Sequence, residues 1–164
     1  MKSYFISPSL CLLVSTTALT VFAHEGQGNS SSGSQQANHP VTAIGEPVQS
    51  TKFTRTIEIS MNDQMRFEPN QISVKKGEIV KLVVKNIGKL KHEIVIGSSA
   101  ELKEHAEMMK QMPDMKHDDP SKLTVEPGMS GEMVWKFSKV GSLEYACLQP
   151  GHNETGMNGK ITIQ

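Results

Sequence analysis

The 164-residue sequence predicts an all-β fold, a Greek-key β-sandwich with one inserted helix, behind a flexible N-terminal segment. Three observations carry this expectation. From Phe53 onward the chain consists of roughly eight short β-type runs with turn signals about every 8–12 residues. Within those runs apolar residues alternate: Met133, Trp135 and Phe137 share one side of a strand, and Leu143, Tyr145 and Cys147 share one side of another. Only residues 98–122 break the pattern, with apolar residues at helical spacing.

The elements follow in order. Residues 1–23 read as an export signal. Lys2 supplies the positive start, "LCLLVSTTALTV" the apolar run and Val21-Phe22-Ala23 a small-x-small cleavage site. The run is too short to span a bilayer and no later segment is apolar enough, so no membrane span is expected. Without a twin arginine near the start, general secretion to the periplasm is the expected route. Residues 24–52 are rich in Gly, Ser, Gln, Asn and Pro. They bury too little apolar surface to offset the entropy of ordering, and read as a flexible linker.

The single domain, 53–164, then opens with "KFTRTIEIS". "QISV" follows Pro69-Asn70, "EIVKLVVKN" follows the Lys76-Gly77 turn, and "KHEIVI" follows Gly88. In the insertion, "SSAELKEHAEMMKQM" carries Ser99 as N-cap and Glu101 and Glu104 in its first turns, and stops at Pro113. That gives one helix of about three turns. "KLTV", "GEMVWKF", "SLEYAC" and "GKITI" complete the strands.

Charge and cysteine content narrow the function. The signal's only charged residue is Lys2, so removing it from 17 basic residues leaves 16 against 17 acidic ones. A balance this even offers no argument for nucleic acid or an anionic membrane as a partner, and neither is expected. Cys11 leaves with the signal, and Cys147 remains alone in an oxidising compartment where cysteines ordinarily pair. A lone exported thiol is buried, joined to another chain or ligated.

The stretch "YACLQPGHNETGM" favours ligation. Cys147, His152 and Met157 stand at C-x4-H-x4-M, with Cys147 ending a strand, Pro150-Gly151 turning the chain and Met157 just before the last strand. Thiolate, imidazole and thioether form a soft donor set suited to copper in both common oxidation states. His92, at the start of "KHEIVI", supplies a second imidazole if its strand neighbours the loop. Two His, one Cys and a weak axial Met make the type 1 copper set. Zinc could use the Cys and two His, but a thioether is a poor fourth ligand for it. Taken singly, Met157 reads more often as core and His152 as a surface loop residue; the metal reading rests on their occurring together with an unpaired exported Cys.

From Phe53 to Gln164 the chain resembles the cupredoxins, the plastocyanin and azurin family. "YACLQPGHNETGMNGKITI" is similar to the family's ligand loop, "MRFEPNQISVKKGEIVKLVVKN" to its opening strands, and His92 falls where the family's first ligand does. The long Cys-to-His spacing and the helical insertion resemble azurin-like bacterial members. The Met-rich insertion resembles small exported cupredoxins associated with bacterial copper tolerance. The resemblance implies one type 1 copper per chain and one-electron exchange with an unknown redox protein, by a chain expected to be monomeric. One residue departs from the pattern. Many members have Asn after the first His, where this chain has Glu93, and a carboxylate cannot donate to a thiolate. Glu93 is therefore expected to point away, or the bond to sulfur to come from backbone alone.

No catalysis is expected of this chain. Cys147 is flanked by Ala146 and Leu148 rather than by His residues that would wire it to a second metal, and no His-x-His pair is present. The competing expectation is a scavenger or chaperone that holds Cu(I) without an electron-transfer partner. It rests on His105, Met108, Met109 and Met112, one face of the inserted helix, followed by Met115 and His117. These donors suit additional weakly held Cu(I). Equally, Leu102, Ala106 and Met109 can pack the helix on the sandwich, Met being an adaptable gap-filler.

Overall fold

The computed structural model describes residues 44–111 and 119–164. The strands are β1 (Gly45–Pro47), β2 (Arg55–Asn62), β3 (Arg66–Glu68), β4 (Gln71–Val74), β5 (Ile79–Asn86) and β6 (His92–Gly97), then, after helix α1 (Ser99–Gln111), β7 (Lys122–Val125), β8 (Ser130–Phe137), β9 (Gly141–Ala146) and β10 (Asn158–Ile163). They form two five-stranded sheets, ordered β1-β8-β5-β2-β3 and β4-β10-β9-β6-β7. Most neighbours run antiparallel, while β2 with β5 and β4 with β10 are parallel. The chain changes sheet at β3–β4, β4–β5, β5–β6, β7–β8 and β8–β9, as a Greek-key sandwich requires.

Alternation builds the core. In β5 every second residue, Val80, Leu82 and Val84, is fully buried, and the facing sheet supplies Ile94, Ile96, Leu143, Tyr145, Ile161 and Ile163. Trp135 and Phe137 lie inward as the alternation predicts, whereas Met133 is half-buried at the margin. Tyr145 packs edge-on against Phe67, with ring centroids 5.2 Å apart, and its hydroxyl donates to Pro69 O at 2.6 Å. Across the ladder from it lies Gly159, where a Cβ would stand 2.5 Å from Tyr145 Cε2 and Oη. The ring fills the space of the missing side chain.

Three details differ from the sequence reading. The linker expected over 24–52 contributes β1, which pairs with β8 through Gly45↔Phe137 and Pro47↔Trp135. The ordered sandwich therefore includes residues ahead of Phe53. Ile44 O accepts from Ser138 N and Lys139 N, and Ile44 packs on the core. Strand β3 is also additional; it is three residues long and buries only Phe67. The helix cap is Ser98 rather than Ser99: Ser98 Oγ accepts from Glu101 N at 3.3 Å and Glu101 Oε2 from Ser98 N at 2.7 Å. This reciprocal pair is a capping box. The signal at 1–23, linker residues 24–43 and Met112, Met115 and His117 lie outside the described residues. Among the described residues no helix is long and apolar enough to cross a membrane.

Candidate metal centre

Three strands of one sheet meet at one end of the sandwich. β9 lies antiparallel to β6 and to β10, so its C-terminal end adjoins the start of β10 and points toward the start of β6, which runs on past it to His92. His92 is the first residue of β6, Cys147 follows the last residue of β9, and Met157 precedes β10. The register Val95↔Ala146↔Asn158 fixes this juxtaposition.

The nine residues between Cys147 and Met157 fold into a compact loop rather than a wide one. Cys147 N donates to Met157 O at 3.1 Å, Met157 N to His152 O at 3.1 Å, and His152 N to Gln149 O at 3.0 Å. Gly151 and Gly156 have φ of 83° and 100°, left-handed values that a side chain would strain. Thr155 Oγ1 donates to His152 O at 2.8 Å, and Arg66 Nη1 donates to Thr155 O at 2.8 Å and to Met65 O at 2.7 Å. Arg66 thereby pins the loop to the β2–β3 turn of the other sheet.

Donor atoms of His92, Cys147 and His152 all lie within 4.8 Å of one another. His152 Nδ1 is 3.3 Å from Cys147 Sγ and 3.3 Å from His92 Nδ1, so both rings direct Nδ1 inward. His92, Cys147 and Met157 are each fully buried, and His152 is half-buried. Burial pushes the Cys147 thiol up, against the opposing pull of the Glu93 and Gln149 backbone N–H groups on the sulfur. Burial, then the neighbouring His92, pushes His152 down, which favours the neutral imidazole that a metal needs. A buried thiol facing two imidazoles fits copper by donor chemistry. Met157, at the end of the same loop, is also sealed from water and carries a thioether, a soft donor by type.

Glu93 is buried and turned from the sulfur, as its chemistry requires. Its carboxylate accepts from Gln149 Nε2 at 3.1 Å and lies 3.3 Å from Lys122 Nζ. The sulfur meets the Glu93 backbone N–H instead. Sequence reasoning missed the residues that hold the ligands. Asn86, only 2% exposed, donates from Nδ2 to Leu90 O (2.8 Å) and Val125 O (2.9 Å) and accepts from Gly88 N (2.9 Å), which shapes the turn before His92. Asp63 contacts His92 Nε2, with Oδ1 at 3.2 Å. The turn signal at Gly88 was readable, but what the turn closes upon was not.

The helix residues are placed differently. Leu102 and His105 face the sandwich, Leu102 in a small cluster with Val95 and Ala146. His105 Nδ1 lies 3.7 Å from Asp119 Oδ2, both side chains being nearly sealed. Ala106, Met108 and Met109 are half-buried. His105 does not belong to the cluster of His92, Cys147 and His152.

Comparison with known proteins agrees with this geometry. The family described as copper binding proteins, plastocyanin/azurin family, matches residues 53–164. The copper-resistant cuproprotein CopI of Rubrivivax gelatinosus is 42% identical over 165 residues, covering 100% of both chains. That of Pseudomonas aeruginosa is 38% identical over 151 residues, covering 74% of this chain and 83% of its own. Among solved structures, auracyanin B superposes with a TM-score of 0.62 at 21% identity, over 74% of this chain and 96% of its own. Auracyanin A, a "blue" copper protein from Chloroflexus aurantiacus, gives 0.56 at 22%, over 66% and 98%. At such identities these two matches speak for the sandwich fold alone.

Proposed function

The chain belongs to the plastocyanin/azurin family of copper-binding proteins, and from that premise we propose that it is an exported, periplasmic electron carrier with one type 1 copper, serving copper tolerance. His92 Nδ1, Cys147 Sγ and His152 Nδ1 would hold the metal, with Met157 as the weak axial donor. Copper supplies the one-electron couple. The protein's part is to keep the donors in one arrangement through the loop's internal hydrogen bonds and its anchor at Arg66. The observation that carries the reading is the convergence of a buried, unpaired thiol with two imidazoles within 4.8 Å.

The surface at that end supports exchange with a redox protein. Ile87 and Leu90, exposed at 65% and 48%, flank the turn before His92. Met129, exposed at 60%, joins them, since its carbonyl accepts from Asn86 N. Half-buried His152 gives electrons a short path outward. The chain is proposed to carry out no catalysis of its own, because Cys147 is flanked by Ala146 and Leu148 rather than by His residues that would wire it to a second metal. The tolerance role draws on the relatives named copper-resistant cuproproteins.

A second reading, a Cu(I) scavenger or chaperone without a redox partner, draws support from Met108 and Met109, which are half-buried rather than sealed in the core. One experiment separates the two. Cu(II) titration of the mature protein, followed by visible absorption and paramagnetic resonance, is paired with Cu(I) counting on the reduced form. One intense thiolate band, abolished by Cys147→Ser, with one Cu(I) per chain and rapid reoxidation by a soluble electron acceptor, is the expected result. Extra Cu(I) lost on replacing Met108, Met109, Met112 and Met115 would favour the scavenger. Absence of any band would refute the site.

A further inference from the structure

Asp63 belongs to the β2–β3 turn, on the sheet that supplies none of the donors. That turn is tightly specified. Asn62 Oδ1 accepts from Gln64 N at 3.1 Å and Arg66 N at 3.2 Å, and Met65 adopts a φ of 59°, unusual for a residue with a side chain. The shape sends the Asp63 carboxylate across to the 88–92 turn. There Oδ2 accepts from Lys89 N at 2.8 Å, while Oδ1 accepts from Leu90 N at 3.2 Å and meets His92 Nε2 at 3.2 Å. The approach is close enough to exclude any side chain at position 88: a Cβ on Gly88 would overlap Asp63 Oδ1 and stand 2.8 Å from its Cγ. The His92 ring is fully buried, and Asp63 is about a third exposed, with 30% of its side chain accessible.

A carboxylate has only acceptor sites, so a hydrogen bond to it requires the proton on Nε2. In the neutral ring the opposite nitrogen, Nδ1, is then unprotonated, and it is Nδ1 that lies 3.3 Å from His152 Nδ1 in the donor cluster. Building on the proposed copper site, we propose that Asp63 is its positioning residue: the carboxylate fixes the tautomer and rotation of His92, and its negative charge strengthens that imidazole as a donor and favours Cu(II) over Cu(I). A carboxylate behind a ligating imidazole does both in metal sites generally, and its loss weakens metal binding about 10- to 100-fold. The two backbone bonds to Lys89 and Leu90 give the same side chain a structural task, so the test must read something that turn-holding would not move.

Asp63→Asn and Asp63→Ala provide it. Asp63→Asn keeps the size of the side chain and one acceptor oxygen while removing the charge. It should retain the intense thiolate band and shift the copper couple toward Cu(I) by roughly tenfold in relative affinity, which is about 59 mV upward for one electron. Asp63→Ala should shift it at least as far and also mobilise the ring. Potentials unchanged in both variants, with the band intact, would overturn the proposal even if both proteins melted earlier. The tautomer is read without copper, by long-range proton–nitrogen correlation on the metal-free protein at pH 8. His92 is expected as the Nε2–H form in the wild type and as a mixture in Asp63→Ala. An Nδ1–H form in the wild type would sink the role of Asp63 whatever the metal does. Absence of a copper band with the Nε2–H form present would instead count against the copper reading and leave the tautomer control standing.

Discussion

The pair of Glu93 and Lys122 lends itself to a quantitative test. Glu93 replaces the Asn found after the first His in many relatives of this fold, and its carboxylate sits 3.3 Å from Lys122 Nζ with the two side chains 4% and 24% exposed. At an effective dielectric of about 20 the Coulomb attraction at that separation is about 5 kcal/mol before desolvation is subtracted. Removing one partner of a fully buried pair costs about 3–5 kcal/mol, because the other charge is stranded. Lys122 is a quarter exposed, so water recovers part of that loss, and Lys122→Met should cost about 2 kcal/mol. For a domain of this size that is a fall of about 8 °C in melting temperature. Denaturant unfolding of the metal-free protein provides the measurement, with Glu93→Gln and the double variant completing a cycle. The double variant should regain most of the loss, since no charge is then left buried. The Gln149 bond to Glu93 ties this pair to the ligand loop. The stranded carboxylate of Lys122→Met should therefore also weaken the thiolate, whose ionisation Glu93 already opposes. A single variant within about 0.5 kcal/mol of wild type, or strictly additive effects, would refute the reasoning.

Two further outcomes can be measured on the same material. Met157→Leu should leave copper bound and shift the potential, because an axial thioether bond is weak; loss of copper on dialysis would contradict the axial role. Burial raises the Cys147 thiol above its ordinary 9.0, so the thiol is protonated near neutrality and gives up its proton when metal binds. Titration calorimetry in buffers of different ionisation enthalpy should find about one proton fewer released by Cys147→Ser than by wild type. The sign for stability follows: with the folded value raised, the thiol's contribution is complete below pH 9.0 and is lost as the pH rises through the folded value. Metal-free Cys147→Ser should lack that alkaline loss, and an identical profile for both proteins would show that the thiol does not titrate with folding.

How far the sequence disclosed all this depended on the distance between partners. The strands were legible because alternation is a local signal, and Val80, Leu82 and Val84 announce a buried face without reference to any other segment. The C-x4-H-x4-M spacing was legible for the same reason, as its three residues share one loop. Strand β1 was not, because three residues among Gly, Pro and Ser carry no period; what seats it is Trp135, whose Nε1 lies where a Cβ on Gly45 would fall, 2.6 Å away. Asp63 and Arg66 were invisible for a stronger reason. They reach residues 29 and 89 positions away, and in the sequence Asn62-Asp63 reads as an ordinary turn. Ser98 was a local misreading: Glu101 three residues on marks Ser98, and not Ser99, as the cap.

The division of labour between the sheets explains why a copper site here would be stiff. All four candidate ligands come from β6, β9, β10 and the loop joining the last two, neighbours in a single sheet. Their supports come from the other: Asp63 and Arg66 from the β2–β3 turn, Asn86 from the end of β5. Displacing a ligand from its place, or shearing one sheet against the other, therefore works against these supports. Shear would break the Arg66 bond to Thr155, the Asp63 contact with His92 and the Asn86 bond to Val125 together. It would also disturb the close-packed layer containing Phe67, Tyr145 and Leu82. One-electron transfer is fastest when the donors need not rearrange between oxidation states. At the proposed copper site interlayer contacts, rather than the ligands themselves, would supply that condition.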